Sequence, residues 1–219
     1  MPATLLRVDA SFRTEGSTSR AVADSAQRAW LREHPDGEVV RRDLGGSPLP
    51  SEAWGLAVGA AYTPEEQRTE EQRAAIALTA TLADELVRAD ALVLATPLYN
   101  FGISQHTKNW IDLLIADPRL GPGTEALRGR PALLVVAQGG GYRAGTPREG
   151  WDHATPYLQR ILADLWGMEC TTVVADLTLA SSTPAMADLV GVAEQSLATA
   201  HREAEEHASA LAARLRAAA

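Results

Sequence analysis

Cysteine and lysine are nearly missing from this chain. One cysteine, Cys170, excludes an internal disulfide framework and a cysteine-cluster metal site. Lys108 is the single lysine; the other 19 basic residues are arginine. Basic residues are also outnumbered, 20 Lys+Arg against 28 Asp+Glu, leaving a formal charge of −8. That balance excludes a non-specific binder of nucleic acid or anionic membrane, since both need a cationic surface. No apolar run approaches the roughly 18 residues of a membrane span, and no basic-then-apolar leader opens the sequence. A cytoplasmic location is expected. What is present is ordinary globular composition, 46% hydrophobic and 22% charged, too apolar for disorder. With 219 residues, no internal repeat and no linker, the chain reads as a single domain over 1–219.

Short apolar runs alternate with long amphipathic ones. Thr4–Val8, Glu38–Leu44, Ala91–Ala95, Pro131–Ala137 and Cys170–Ala175 read as strands. The third is apolar throughout, as expected for a parallel strand covered on both faces. Helices are expected over Ser19–Glu33, from a cap at Thr63-Pro64-Glu65-Glu66 to about Arg88, and over Ser104–Ile115, Thr155–Trp166 and Pro184–Arg216. Gly45–Tyr62 reads as a long excursion. Strands and helices in strict alternation predict an α/β fold, a doubly wound parallel sheet with right-handed crossovers. Ligands of such sheets bind beyond the carboxyl ends of the strands, near the point where strand order reverses.

The loops in that position have unusual compositions. After the first strand, Ser11, Ser17, Thr18 and Ser19 gather around a helix start, where unpaired N–H groups and hydroxyls suit a phosphate. An ordinary N-cap by Ser17 or Thr18 is the competing reading. Neither the dinucleotide glycine fingerprint nor a Walker-type loop is present. After the third strand, Pro97, Leu98, Tyr99, Asn100 and Phe101 bring apolar and aromatic bulk suited to a flat heteroaromatic ring. After the fourth, Gln138-Gly139-Gly140-Gly141-Tyr142 lets backbone approach a ligand closely. The three loops together fit one ligand with a phosphate at one end and a flat ring at the other. Flavin mononucleotide (FMN) has that shape.

These residues resemble a known family, the FMN-dependent NADH azoreductases and flavodoxin-like quinone reductases. The likeness is carried by Ser11 with Ser17-Thr18-Ser19, and most specifically by Pro97 to Ser104 continuing through Lys108-Asn109-Trp110-Ile111-Asp112. Gly139-Gly140 with Tyr142, and Asp152-His153 followed by Pro156-Tyr157-Leu158 and Gly167, add to it. The resemblance implies a flavodoxin-like, five-stranded doubly wound parallel sheet with helices on both faces. It implies a homodimer and a ping-pong reaction in which NADH or NADPH reduces FMN, which then reduces a quinone, azo or nitroaromatic acceptor. Carried over, Ser11, Ser17, Thr18 and Ser19 hold the phosphate, and Pro97, Leu98, Tyr99, Asn100 and Phe101 cradle the ring. Gln138, Gly139, Gly140 and Gly141 lie at its other edge. No acid–base triad is expected, because hydride chemistry belongs to the flavin; Tyr142 and His153 are the weak candidates for proton donation. Two departures stand out: Gln138 replaces a common arginine, and the stretch 117–127, which would border the flavin, is short and lacks aromatics. A flavodoxin-like electron carrier and a reductase of one biosynthetic intermediate remain the alternatives.

Other conspicuous residues read as structural. Lys108 fits a solvated charge, Cys170 a core thiol, and the five histidines show no metal-ligand spacing, so no metal is expected. Ser11 and Ser17 lie outside any Gly-x-Ser-x-Gly nucleophile motif. Trp54, Tyr62 and Trp151 suit a dimer interface or the roof of an acceptor site, or else a surface cluster.

Overall fold

The structure, a computed structural model, describes residues 2–218, with side chains described through 216. Five parallel strands form one sheet in the order β2-β1-β3-β4-β5. They are β1 (Thr4–Asp9), β2 (Glu38–Asp43), β3 (Ala91–Pro97), β4 (Pro131–Ala137) and β5 (Glu169–Ala175). The helices are α1 (Thr18–Glu33), α2 (Ala53–Ala61), α3 (Glu70–Arg88), α4 (Gln105–Ala116), α5 (Thr155–Gln159) and α6 (Val190–Ala218). The chain leaves β1 toward β2 on one side and reaches β3 on the other, so strand order reverses between β1 and β3.

The pleat sorts side chains to the two faces. Leu6, Val8, Leu92, Leu94, Leu134 and Val136 point into one core, shared with Leu82, Leu86, Trp110 and Leu114 of α3 and α4. Leu5, Val93, Ala95, Leu133, Val135 and Val173 point into the other, beneath α1 and α6. There Ala200, Ala204, Ala208 and Ala212 form a wholly buried stripe at four-residue spacing. The alanine-rich last helix therefore covers the sheet alongside α1. The central strand β3 is buried along its whole length, which explains its lack of alternation.

Four sequence expectations need correction. The excursion 45–62 contains α2, whose faces are apolar nearly all round, so it carries no helical period to read. Thr63 does not start a helix. Its hydroxyl donates to the Gly59 carbonyl at 2.9 Å and closes the end of α2. The start of α3 is at Thr69, where a reciprocal cap with Gln72 satisfies two orphan N–H groups. The helix opened by α5 widens over Arg160–Leu165 into a π-helical turn, with Trp166 N–H reaching back to Ile161. Pro184–Leu189 is a 3₁₀ segment, and α6 proper begins at Val190.

Candidate functional site

A buried ionic cluster underlies the first loop. Asp9, at 0% exposure, takes hydrogen bonds from Arg7, itself 1% exposed, and from Arg41. Arg7 also donates to Asp24 at 2.5 Å and to Gln27 at 3.0 Å. Arg20 pairs with Asp43 through both terminal nitrogens, at 2.9 and 2.5 Å, and lies 3.8 Å from Asp9. The same guanidinium donates to the Ser11 carbonyl at 2.7 Å, and its Nε is buried without a partner among the described residues. This ion pair holds the Asp43 carboxyl below the usual range and raises Arg20. A cation locked by carboxylates thus fixes the backbone of the hydroxyl-rich loop from below.

On the loop itself, Ser17 is the N-cap of α1, accepting from Arg20 N–H. Its hydroxyl stands 3.3 Å from that of Ser19. Ser11 accepts from Arg13 N–H at 3.2 Å and meets the Tyr99 hydroxyl at 3.4 Å. Across the crevice, Tyr99 and Gly102 exchange backbone hydrogen bonds of 3.0 and 2.9 Å around Asn100 and Phe101. Both central residues have positive φ, +48° and +68°. Two successive left-handed residues make a tight primed turn. Asn tolerates this conformation; for Phe101 it is strained, a feature concentrated at functional sites.

These loops enclose a cavity of about 220 Å³ beyond the carboxyl ends of β1, β3 and β4. Ser11, Ser17, Thr18 and Ser19 line one part, and Pro97, Leu98, Tyr99 and Gly139 another. Asn100, Phe101, Gln138, Gly140 and Gly141 are not among its lining residues. Gln138 is buried and donates to Asp152 at 2.7 Å, on the far side of its loop. Gly140 lies against Arg148 and Tyr142, and Gly141 against Thr146. Tyr142 packs edge-on to Phe101, while His153 is exposed and gives its backbone N–H to the Phe101 carbonyl. No residue of 117–127 reaches the cavity: Leu120 and Leu127 enter the core, and Trp166 donates to the Leu120 carbonyl.

Thr178 and Leu179 line the cavity too, and sequence reasoning missed them. Their N–H groups bond to the carbonyls of Gln138 and Gly139, which ties the loop after β5 to the one after β4. The pairing of β5 with β4 is the signal that points to them, and it exists only once the sheet is assembled.

The remaining residues singled out in the sequence lie outside this cavity. Lys108 pairs with Asp112 at 2.5 Å on the surface of α4. Cys170 packs half-buried against the core, and burial pushes its thiol up to about 11, which disfavours the thiolate needed by a nucleophile. Trp54, Tyr62 and Trp151 are all exposed.

The donor set fits a phosphorylated flat ligand. Neutral hydroxyls stand at the N-terminus of a sixteen-residue helix, where anions are favoured, and the opposite wall is apolar and aromatic. The sequence pattern of the family described as "flavodoxin-like fold" matches residues 3–216. The chain is 40% identical over 208 residues to the FMN-dependent NADH:quinone oxidoreductase of Frankia casuarinae, covering 94% of this chain and 98% of that one. It is 39% identical over 217 residues to the protein of the same name from Streptomyces avermitilis, covering 96% and 97%. Among solved structures, an FMN-dependent NADH-azoreductase of Bacillus anthracis in complex with FMN superposes with a TM-score of 0.78. That match has 20% identity and covers 95% of this chain and 99% of that one.

Proposed function

The chain belongs to the flavodoxin-like fold family together with the FMN-dependent NADH:quinone oxidoreductases, and from that membership we propose that it is an FMN-dependent NAD(P)H:acceptor oxidoreductase of quinone- or azo-reductase type. The observation that carries the reading is the cavity at the strand-order reversal, hydroxyl-lined at one part and apolar at another.

In this reading Ser11, Ser17, Thr18 and Ser19 hold the phosphate, Arg13 stands at its rim, and Arg20 keeps the Ser11 backbone in place from beneath. Pro97, Leu98 and Tyr99 support the ring, and Asn100 and Phe101 form the turn beside it. The N–H groups of Gly139, Gly140 and Gly141 have no acceptor among the described residues, and Gly139, which lines the cavity, offers its own to a ligand's polar edge. Donors held there favour negative charge where it develops. Bound FMN supplies two-electron hydride chemistry; the chain's own part is to bind, orient and exclude water. NADH or NADPH is the reductant, and a quinone, azo or nitroaromatic compound the acceptor. A single flavin-binding domain over 1–219, a homodimer and a cytoplasmic location complete the proposal; among the described residues no helix is long and apolar enough to cross a membrane. Trp54 and Tyr62, exposed on and after α2, are the aromatics available to a dimer interface.

The test is an anaerobic absorbance spectrum of FMN-reconstituted protein, followed by NADH and then NADPH. Bound flavin bleached within seconds is the expected result. Flavin that binds but stays oxidised favours the electron-carrier alternative, and failure to bind FMN overturns the reading. Because proton donation is not assigned to one side chain, Tyr142→Phe should lower kcat less than about tenfold. A loss near a thousandfold in steady-state assays would make Tyr142 a catalytic acid.

A further inference from the structure

Past the turn at Asn100 and Phe101, the segment between Gly141 and His153 builds a second wall around the Phe101 ring. Phe101 is its centre. Trp151 meets that ring edge-on at 5.2 Å between centroids, and Tyr142 at 6.2 Å. The guanidinium carbon of Arg148 lies 6.0 Å from the Phe101 centroid, within cation–π range. A Cβ placed on Gly140 would sit 3.5 Å from Arg148 Nη1 and 3.6 Å from the Tyr142 hydroxyl. Arg148 therefore lies over an aromatic face beside Gly140, in the loop that follows β4.

Its charge is unanswered. Most arginines of this acidic chain pair with a carboxylate, yet Arg148 makes no ion pair among the described residues. The two acids nearest in sequence are engaged elsewhere. Glu149 accepts from Gly145 N–H at 2.8 Å. Asp152 takes Gln138 and the N–H groups of Ala154 and Thr155. The segment is also pinned. Arg143 is clamped on buried Asp176, the Thr146 hydroxyl lies within hydrogen-bond distance of the Gly141 and Arg143 carbonyls, and the Trp151 backbone N–H returns to the Arg148 carbonyl. An exposed, unpaired guanidinium over an aromatic ring, carried on a backbone segment that is itself pinned, suits a ligand that is flat and negatively charged. Arg13, the other arginine over a ring, lines the hydroxyl-rich cavity and belongs to the phosphate end.

We propose that Arg148, framed by Phe101, Tyr142 and Trp151, reads an anionic group on the electron acceptor, selecting aromatic acceptors that carry a carboxylate or sulfonate. The inference rests on the oxidoreductase reading and deepens it by naming the acceptor's chemistry. Trp151 supplies stacking area, half exposed as an acceptor platform needs to be, and Arg148 supplies the charge.

The test uses the FMN-loaded enzyme with NADH and two acceptors, 1,4-naphthoquinone-2-sulfonate and the neutral 2-methyl-1,4-naphthoquinone. The readout is the ratio of their kcat/KM values. Arg148→Gln should lower the sulfonate-to-neutral ratio about fivefold, the size of a well-placed exposed ion pair, and Arg148→Lys should restore most of it. In the wild type, raising the ionic strength should raise KM for the sulfonate, and this dependence should flatten in Arg148→Gln. An unchanged ratio overturns the proposal, as does an equal loss with both acceptors, which would make Arg148 a wall rather than a charge reader. A rise in KM for NADH with the ratio unchanged also overturns it, since the anion served is then the dinucleotide's. Bound flavin and turnover of the neutral quinone are established first, so failure of the oxidoreductase reading is seen separately.

Discussion

Gly45→Ala should cost this protein its cofactor and much of its stability. Gly45 follows Leu44, whose N–H bonds to the Asp9 carbonyl at 2.8 Å, so the chain leaving β2 passes directly behind the loop leaving β1. A Cβ there would lie 1.9 Å from the Ser11 carbonyl oxygen and 2.5 Å from its carbon. Both are backbone atoms, and Arg20 already holds that carbonyl, so neither chain has a side-chain rotamer to yield. One of them has to move, and the loop that moves is the one carrying Ser11 and Phe12. The expected loss is about 3 kcal/mol of stability, read as a lower urea midpoint. FMN affinity should weaken about a hundredfold, by fluorescence titration, because a displaced Ser11 no longer converges with Ser17 and Ser19. Gly191→Ala is the control. It lies exposed near the start of α6 with nothing within 4 Å of its Cβ position, and should be neutral or stabilising by up to about 1 kcal/mol. A Gly45→Ala protein with wild-type midpoint and flavin affinity would show that the two loops are free to separate.

Gly45 also marks the limit of what the sequence discloses. The continuous apolar runs of β3 and β4 are legible because a strand covered on both faces must be apolar at every position. The hydroxyls of the first loop and the Pro97–Phe101 run are legible because strand alternation alone puts them at one edge of a parallel sheet. Gly45 looks like any loop glycine until β2 is laid beside β1, which brings it against a residue 34 positions earlier. Arg7 and Asp9 present the same difficulty. Charges at alternate positions of a strand suggest a solvated face, yet both are buried, because Asp24, Gln27 and Arg41 come from other elements to answer them. Thr63-Pro64-Glu65-Glu66 carries a true capping signature but loses to Thr69, which gains a reciprocal partner in Gln72. Local signals named the loops; the contacts that hold them are non-local.

Removing the Arg20 guanidinium should loosen the hydroxyl-rich loop after β1 and change how the protein responds to acid. Arg20→Met keeps the buried stem and deletes the pair with Asp43, the bond to the Ser11 carbonyl and the attraction to Asp9. Leaving Asp43 and a buried carbonyl short of their donor should cost about 3 kcal/mol at neutral pH. Asp9 keeps Arg7 and Arg41, so the cluster does not collapse. Asp43 sits below its usual value of 3.8, chiefly through the Arg20 hydrogen bond and against the opposing effect of burial. A carboxyl depressed in the folded state contributes its stability above the unfolded value and loses it as pH falls through the folded one. The gap between wild type and Arg20→Met, measured as urea midpoints, should therefore be largest at neutral pH and narrow as pH falls below about 4. It should not close, because the bond to Ser11 does not titrate there. FMN affinity should fall about tenfold in Arg20→Met at neutral pH, and Arg20→Lys should recover less than half, since an ammonium lacks the fork that spans Asp43 and Ser11 at once. A variant that loses stability yet binds FMN as the wild type does would assign the guanidinium to the sheet alone. Joint loss of both would make the buried ion cluster the device that sets the loop's geometry, with charge chemistry inside the fold controlling an anion site built largely from neutral groups.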